Sequence, residues 1–184
     1  MKRVVAFIGS PRKDGNTSSI VGEVVRGAKE AGAETKVYNL NDMNIKPCQS
    51  CFYCRGVAGC SIKDDMQLIY DDIKEADAIV IGSPIYFGQV TAQTKLLMDR
   101  LYPMIDSPFK PRFGNKKAVV VYTLGNINAD IFKQYLEYNT NVISCYGLNV
   151  IDTILTLGAI DPKTAINNQT LMEKAFKTGK ELVA

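Results

Sequence analysis

Gly9-Ser10-Pro11-Arg12-Lys13-Asp14-Gly15-Asn16-Thr17 is the stretch that decides how this chain folds. An apolar run, Val4-Val5-Ala6-Phe7-Ile8, precedes it, and a segment with helical patterning starts near Ser18. A strand, a tight glycine-containing turn and a helix N-terminus together make an anion site. The free N–H groups of the first helical turn and the positive end of the macrodipole converge on one point. Ser10, Thr17 and Ser18 add hydroxyls, Asn16 adds an amide, and Arg12 adds a planar cation that suits a phosphate. The stretch reads as a cradle for one phosphate monoester. It is not a triphosphate loop, because five residues separate Gly9 from Gly15 and Asn16 stands where the lysine belongs. It also lacks the Gly-x-Gly-x-x-Gly of a dinucleotide site. The plainer alternative is an ordinary strand–turn–helix with polar turn residues.

Working outward, strands are expected at Arg3–Ile8, Glu34–Leu40, Ala76–Gly82, Lys117–Thr123 and Asn149–Leu157. Helices are expected at about Ser18–Glu30, Asp65–Lys74, Thr91–Tyr102, Asp130–Cys145 and Thr170–Leu182. An irregular segment spans Asn41 to about Lys63, and Pro103, Pro108 and Pro111 mark the linker Pro103–Asn115 as loop. Regular strand–helix alternation without repeats predicts an α/β three-layer doubly wound sandwich. With a phosphate loop after the first strand, its five-stranded parallel sheet takes the order 2-1-3-4-5, the flavodoxin-like arrangement. Ligands in that arrangement bind at the carboxyl ends of strands one and three. Residues 1–184 are expected to form one domain.

Composition narrows the function. Hydrophobic residues make up 46% and charged residues 22%, as in globular proteins. A net charge of +3 gives no argument for nucleic acid or membrane partners. No apolar run approaches the roughly 20 residues that span a bilayer. Met1-Lys2-Arg3-Val4 leads straight into a strand without a signal-cleavage pattern, so a cytoplasmic location is expected. The chain has no histidine, which removes Ser-His-Asp and Cys-His catalysis, histidine metal sites and histidine proton relays together.

A second turn, Ser83-Pro84-Ile85-Tyr86-Phe87-Gly88, follows the third strand and so faces the phosphate loop. Pro84 stiffens it, Gly88 lets backbone approach a ligand, and Ile85, Tyr86 and Phe87 offer surface to a flat ring such as a flavin. Backbone N–H groups there suit the ring's carbonyl oxygens. The alternative is a hydrophobic turn that fills core. Thr123 and Gly125, after the fourth strand, make a third candidate contact. No side chain is assigned a catalytic role, because a flavin itself accepts hydride.

Cys48-Gln49-Ser50-Cys51-Phe52-Tyr53-Cys54 is C-x₂-C-x₂-C, and Cys60 follows after five residues. Four thiols this close match the ligation of a [4Fe–4S] cluster. Two other readings stay open: reduced, unligated cysteines packed against a partner subunit or over the flavin, and a zinc site, although zinc pairs are usually well separated. A loop without its own core is expected to draw much of its order from ligation. Phe52, Tyr53 and Val57 would be costly to expose, which predicts packing on another subunit. Cys145 is expected to be a buried small hydrophobe. Asp64, Asp65, Asp71 and Asp72 read as helix-start and surface charges, and Lys116-Lys117 as a solvated strand entry.

With these residues in view, the chain resembles the iron–sulfur flavoprotein branch of the NAD(P)H-dependent FMN reductases, in the flavodoxin-like superfamily. The matching pieces are Gly9–Arg12 with Gly15–Thr17, Pro47–Cys60, Asp64-Asp65-Met66, Gly82–Gly88, and Lys95 with Asp99-Arg100. The resemblance implies a single FMN-binding domain, electron transfer, and homodimers or homotetramers. It assigns the phosphate to Ser10, Arg12, Asn16 and Thr17, the ring to Pro84–Gly88, and a cluster to Cys48, Cys51, Cys54 and Cys60. The implied electron donor is NAD(P)H or a ferredoxin-like carrier. One departure is the loop after strand four, Leu124-Gly125-Asn126-Ile127-Asn128, which lacks the paired glycines frequent in such proteins. Two further readings remain: a cluster-free reductase acting on flavin, quinone, nitro or azo compounds, and a non-catalytic FMN electron carrier or redox sensor.

Overall fold

The structure is a computed structural model that describes residues 1–106 and 110–184. The elements in chain order are β1 (Arg3–Ile8), α1 (Asn16–Glu30), β2 (Glu34–Asn39), α2 (Tyr53–Gly56), α3 (Met66–Glu75), β3 (Ala78–Tyr86), β4 (Gln89–Val90), α4 (Ala92–Arg100), β5 (Lys116–Thr123), α5 (Asp130–Ser144), β6 (Leu148–Thr156) and α6 (Gln169–Val183). Five parallel strands run β2-β1-β3-β5-β6 across the sheet, and β4 pairs antiparallel with the end of β3. The doubly wound α/β arrangement is therefore as expected, but six strands form it, not five. The additional strand exists because β3 continues beyond Gly82: Ile85 pairs with Val90 and Tyr86 with Gln89. The expected linker Pro103–Asn115 includes Pro108, which lies outside the described residues.

Successive strand residues face opposite sides of the sheet, and two cores result. Val4, Ala6, Ile8, Val80, Val119 and Val121 pack with Ile20, Val21 and Val24 of α1 and with Ala175 and Leu182 of α6. Val5, Phe7, Ile79, Ile81, Val120 and Tyr122 pack with α3, α4 and α5 on the opposite face. Helices α1 and α6 approach backbone to backbone. A Cβ on Gly27 would lie 2.0 Å from the Phe176 carbonyl oxygen, and one on Gly179 would lie 2.0 Å from that of Val24.

Two lysine and aspartate expectations are corrected. Lys116 is buried, not solvated, and its ammonium donates to the carbonyls of Lys74 and Ala76. These are the orphan carbonyls at the end of α3, where a cation is favoured. Asp64 does stand at the helix start, accepting from the Met66 N–H, but its side chain is fully enclosed and paired with Arg100 at 2.6 Å, not a surface charge. Cys145 is exposed, because it follows α5 at its solvent end.

Candidate functional site: two loop clusters at the sheet edge

The carboxyl ends of β1, β3 and β5 meet at one cavity of about 300 Å³. Its lining includes Ser10, Arg12, Gly15, Asn16 and Thr17, then Pro84, Ile85 and Tyr86, then Thr123 and Gly125. Helix α1 starts at Asn16, two residues earlier than expected, with no side chain capping it and no acidic residue in its first turn. Its leading N–H groups therefore open onto the cavity. Ser10 shapes the loop by accepting from the Arg12 N–H at 3.1 Å, and Ser18 donates to the Arg12 carbonyl at 3.0 Å. The Arg12 side chain is exposed and has no partner among the described residues. A buried hydroxyl network fixes the start of the loop: Thr91 donates to the Gly9 carbonyl at 2.7 Å and contacts Thr94 at 2.9 Å. Gly9 has to be glycine here, since a Cβ would lie 1.8 Å from the Thr94 hydroxyl.

Asn16 does something other than what its amide suggested. Its Nδ2 donates to the carbonyls of Ala159 and Asp161, and its Oδ1 accepts from the Ala165 N–H. The side chain is thus spent on the β6–α6 loop and brings Ala159 and Ile160 to the cavity wall. Neither residue was singled out in the sequence, where an Ala-Ile pair between Gly158 and Asp161 carries no chemical signal. Thr17 bonds Thr123 hydroxyl to hydroxyl at 2.8 Å, joining the start of α1 to the end of β5. Phe87 and Gly88 are not in the cavity lining. They form the tip of the β3–β4 hairpin, with positive φ of 50° and 83°, and the Phe87 ring is fully exposed.

A second cavity, of about 550 Å³, lies in the loop between β2 and α3. Cys48, Cys51, Cys54 and Cys60 all line it, with Tyr70, Asp99, Arg100 and Tyr102. All are unpaired thiols. The Cys51 thiol is shifted down, first by the Ser61 hydroxyl and in smaller part by the Arg100 charge, while burial and the neighbouring Cys60 and Cys48 shift Cys54 up. The donor set is soft sulfur, suited to iron–sulfur ligation. Among the described residues no group of three Cys, Asp or Glu is placed to hold one metal ion.

The expectation that ligation supplies much of the loop's order meets a set of anchors from the protein itself. Lys46 and Asn44 donate backbone N–H groups to Asp64 and Asp65. Gln67 donates to the carbonyls of Cys60 and Ile62, and Arg112 to those of Cys54 and Arg55. Arg55 stacks over Tyr102 at 4.3 Å. Protein groups thus hold both ends and the middle.

The family model for NADPH-dependent FMN reductases matches residues 2–145. The chain belongs to that family. An iron–sulfur flavoprotein of Methanosarcina thermophila is 39% identical over 98% of this chain and 93% of its own length. Another, of Methanocaldococcus jannaschii, is 44% identical over 55% of this chain, and that match spans about half, 53%, of the relative. The branch implied by the resemblance is therefore the one to which the relatives belong. The expectation of an oxidoreductase is met at the level of the family. In fold, the chain is similar to an NAD(P)H:quinone oxidoreductase of Methanothermobacter marburgensis, with a TM-score of 0.74 at 18% identity over 100% of this chain and 98% of that one. It is also similar to an FMN-dependent NADH-azoreductase of Bacillus anthracis in complex with FMN, with a TM-score of 0.71 at 14% identity over 100% of both chains. Among the described residues no helix is long and apolar enough to cross a membrane.

Proposed function

We propose that residues 1–184 form one FMN-binding domain of a cytosolic oxidoreductase. It takes electrons from NAD(P)H or a ferredoxin-like carrier and passes them on by way of a [4Fe–4S] cluster on Cys48, Cys51, Cys54 and Cys60. The observation that carries this reading is the convergence of the uncapped α1 N-terminus, Arg12 and the ends of β3 and β5 on one cavity. FMN supplies one- and two-electron chemistry when bound, and a cluster supplies one-electron chemistry. The chain's own residues bind and orient. The first N–H groups of α1 and the Arg12 guanidinium hold the phosphate. Ser10, Thr17 and Ser18 shape that cradle through their bonds to Arg12 and Thr123. Pro84, Ile85, Tyr86, Gly125 and Ile160 give the ring apolar surface. Among the described residues no carboxylate lines the cavity, and the chain has no histidine.

The family description and the names of the similar quinone oxidoreductase and NADH-azoreductase support a nicotinamide donor. The names of the relatives support the cluster. Five unpaired cysteines suit a reducing compartment. The test is anaerobic expression with iron and sulfide, followed by heat release and chromatography of the flavin, iron counting and NAD(P)H oxidation. FMN with iron and turnover is the expected result. FAD, or no flavin, would overturn the reading, and flavin-loaded protein without iron would reduce it to a cluster-free reductase.

A further inference from the structure

Arg100, the last residue of α4, is 1% exposed and lines the cavity shared by the four cysteines. Its Nη1 donates to the Lys46 carbonyl and to Asp64, each at 2.6 Å, and its Nη2 donates to Asp64 at 3.1 Å. Its Nε has no acceptor among the described residues. A buried N–H left unpaired is costly, and such groups are normally satisfied. The two Nη groups are enough to tie the loop ends together, so the loop tie does not account for Nε. Asp64 is absent from the cavity lining while Arg100 is part of it, so the cation is the member of the pair that borders the thiols. Tyr70, also in the lining, donates its hydroxyl to the Arg100 carbonyl at 2.7 Å and fixes the end of the helix.

We propose that Arg100 sets the reduction potential of the [4Fe–4S] cluster, through its charge and an Nε–H donated to a sulfur in the cavity, with Asp64 and Tyr70 holding it in position. The inference rests on the cluster reading above. Reduction adds one electron, and hence one negative charge, to a group already held by four thiolates. A buried cation and an N–H···S donor favour that more negative form and raise the potential.

The test is an EPR-monitored potentiometric titration of full-length protein reconstituted anaerobically with iron and sulfide. The double variant Asp64→Asn/Arg100→Gln replaces the ion pair by neutral amides and leaves no single charge buried. It should keep wild-type iron and lower the cluster potential, with about a tenfold shift in the one-electron equilibrium, or ~59 mV. An unchanged potential at full iron would overturn the inference alone. Wild-type protein that takes up no iron would overturn the cluster reading and the inference with it. Should the double variant lose the cluster, Arg100→Lys decides: it keeps a cation and removes Nε. A lower potential there supports the Nε–H donor, and a wild-type potential refutes that donor.

Discussion

Asn16 and Arg12 sit four residues apart and do different work. Arg12 is exposed and uncommitted, whereas Asn16 is 6% exposed and holds three backbone groups of the β6–α6 loop. Arg12→Ala should therefore weaken FMN binding about tenfold or more, the loss of a charge-assisted contact of roughly 1.5–3 kcal/mol, with stability unchanged. Asn16→Ala should lower stability by about 1–3 kcal/mol, because it leaves the Ala165 N–H unpaired, and weaken FMN binding as a consequence. Flavin titration of the apoprotein and urea unfolding separate the two. Asp64 carries a pH dependence. Burial by itself would raise its carboxyl, but the Arg100 hydrogen bonds and charge and the N–H groups of Lys46 and Met66 outweigh it and hold the carboxyl below the usual carboxylate range. A group depressed in the folded state contributes stability that is complete above its unfolded pKa and lost as pH falls through the folded one. Asp64→Asn should be less stable than wild type by roughly 3–5 kcal/mol near neutrality, since it strands Arg100. The gap should narrow as urea unfolding is followed from about pH 6 to below about pH 4. A constant gap would place the acid sensitivity elsewhere.

At the scale of elements, β3 explains why only part of the Pro84–Gly88 turn reaches the cavity. Its parallel pairing with β5 reaches Pro84 opposite Thr123, which puts these two residues side by side at the cavity. Beyond that point the strand has no parallel partner and folds back on β4. Positive φ at both Phe87 and Gly88 is the signature of a type I′ hairpin turn, in which asparagine is far better tolerated than phenylalanine. The strained aromatic residue makes no use of its ring within one chain. Phe87→Asn should stabilise the isolated chain by about 1 kcal/mol, read from the urea midpoint. A loss of stability would show that the ring packs on another molecule.

At the scale of the whole molecule, the cysteine loop is anchored within the chain, yet it presents Phe52 at 63%, Tyr53 at 52% and Val57 at 43% exposure. Three large apolar residues clustered on one loop are a surface to be covered. We expect this loop to pack on a second copy near its flavin. Light scattering at micromolar concentration should give a dimer or tetramer, and Phe52→Ser with Tyr53→Ser should shift it toward monomer. A wild-type monomer would refute the packing.

The sequence by itself determined the layers, the parallel sheet and the strand–turn–helix at Gly9–Thr17, because each rests on local chemistry: apolar strands, helix periodicity, and a Gly-Ser-Pro-Arg turn before a helix. It also brought four cysteines within one short loop. Tertiary structure decided what each polar side chain does. Asn16 reads as a phosphate donor until the β6–α6 loop, more than a hundred residues away in the chain, takes up its amide. Asp64 reads as a surface charge until α4 brings Arg100 against it, and Lys116 as a solvated one until α3 ends above it. Ile160 carries no signal until two loops meet. The physical reason is common to all four. A polar group's partner and a cavity's wall are set by which distant backbone arrives there, and burial makes that partner obligatory.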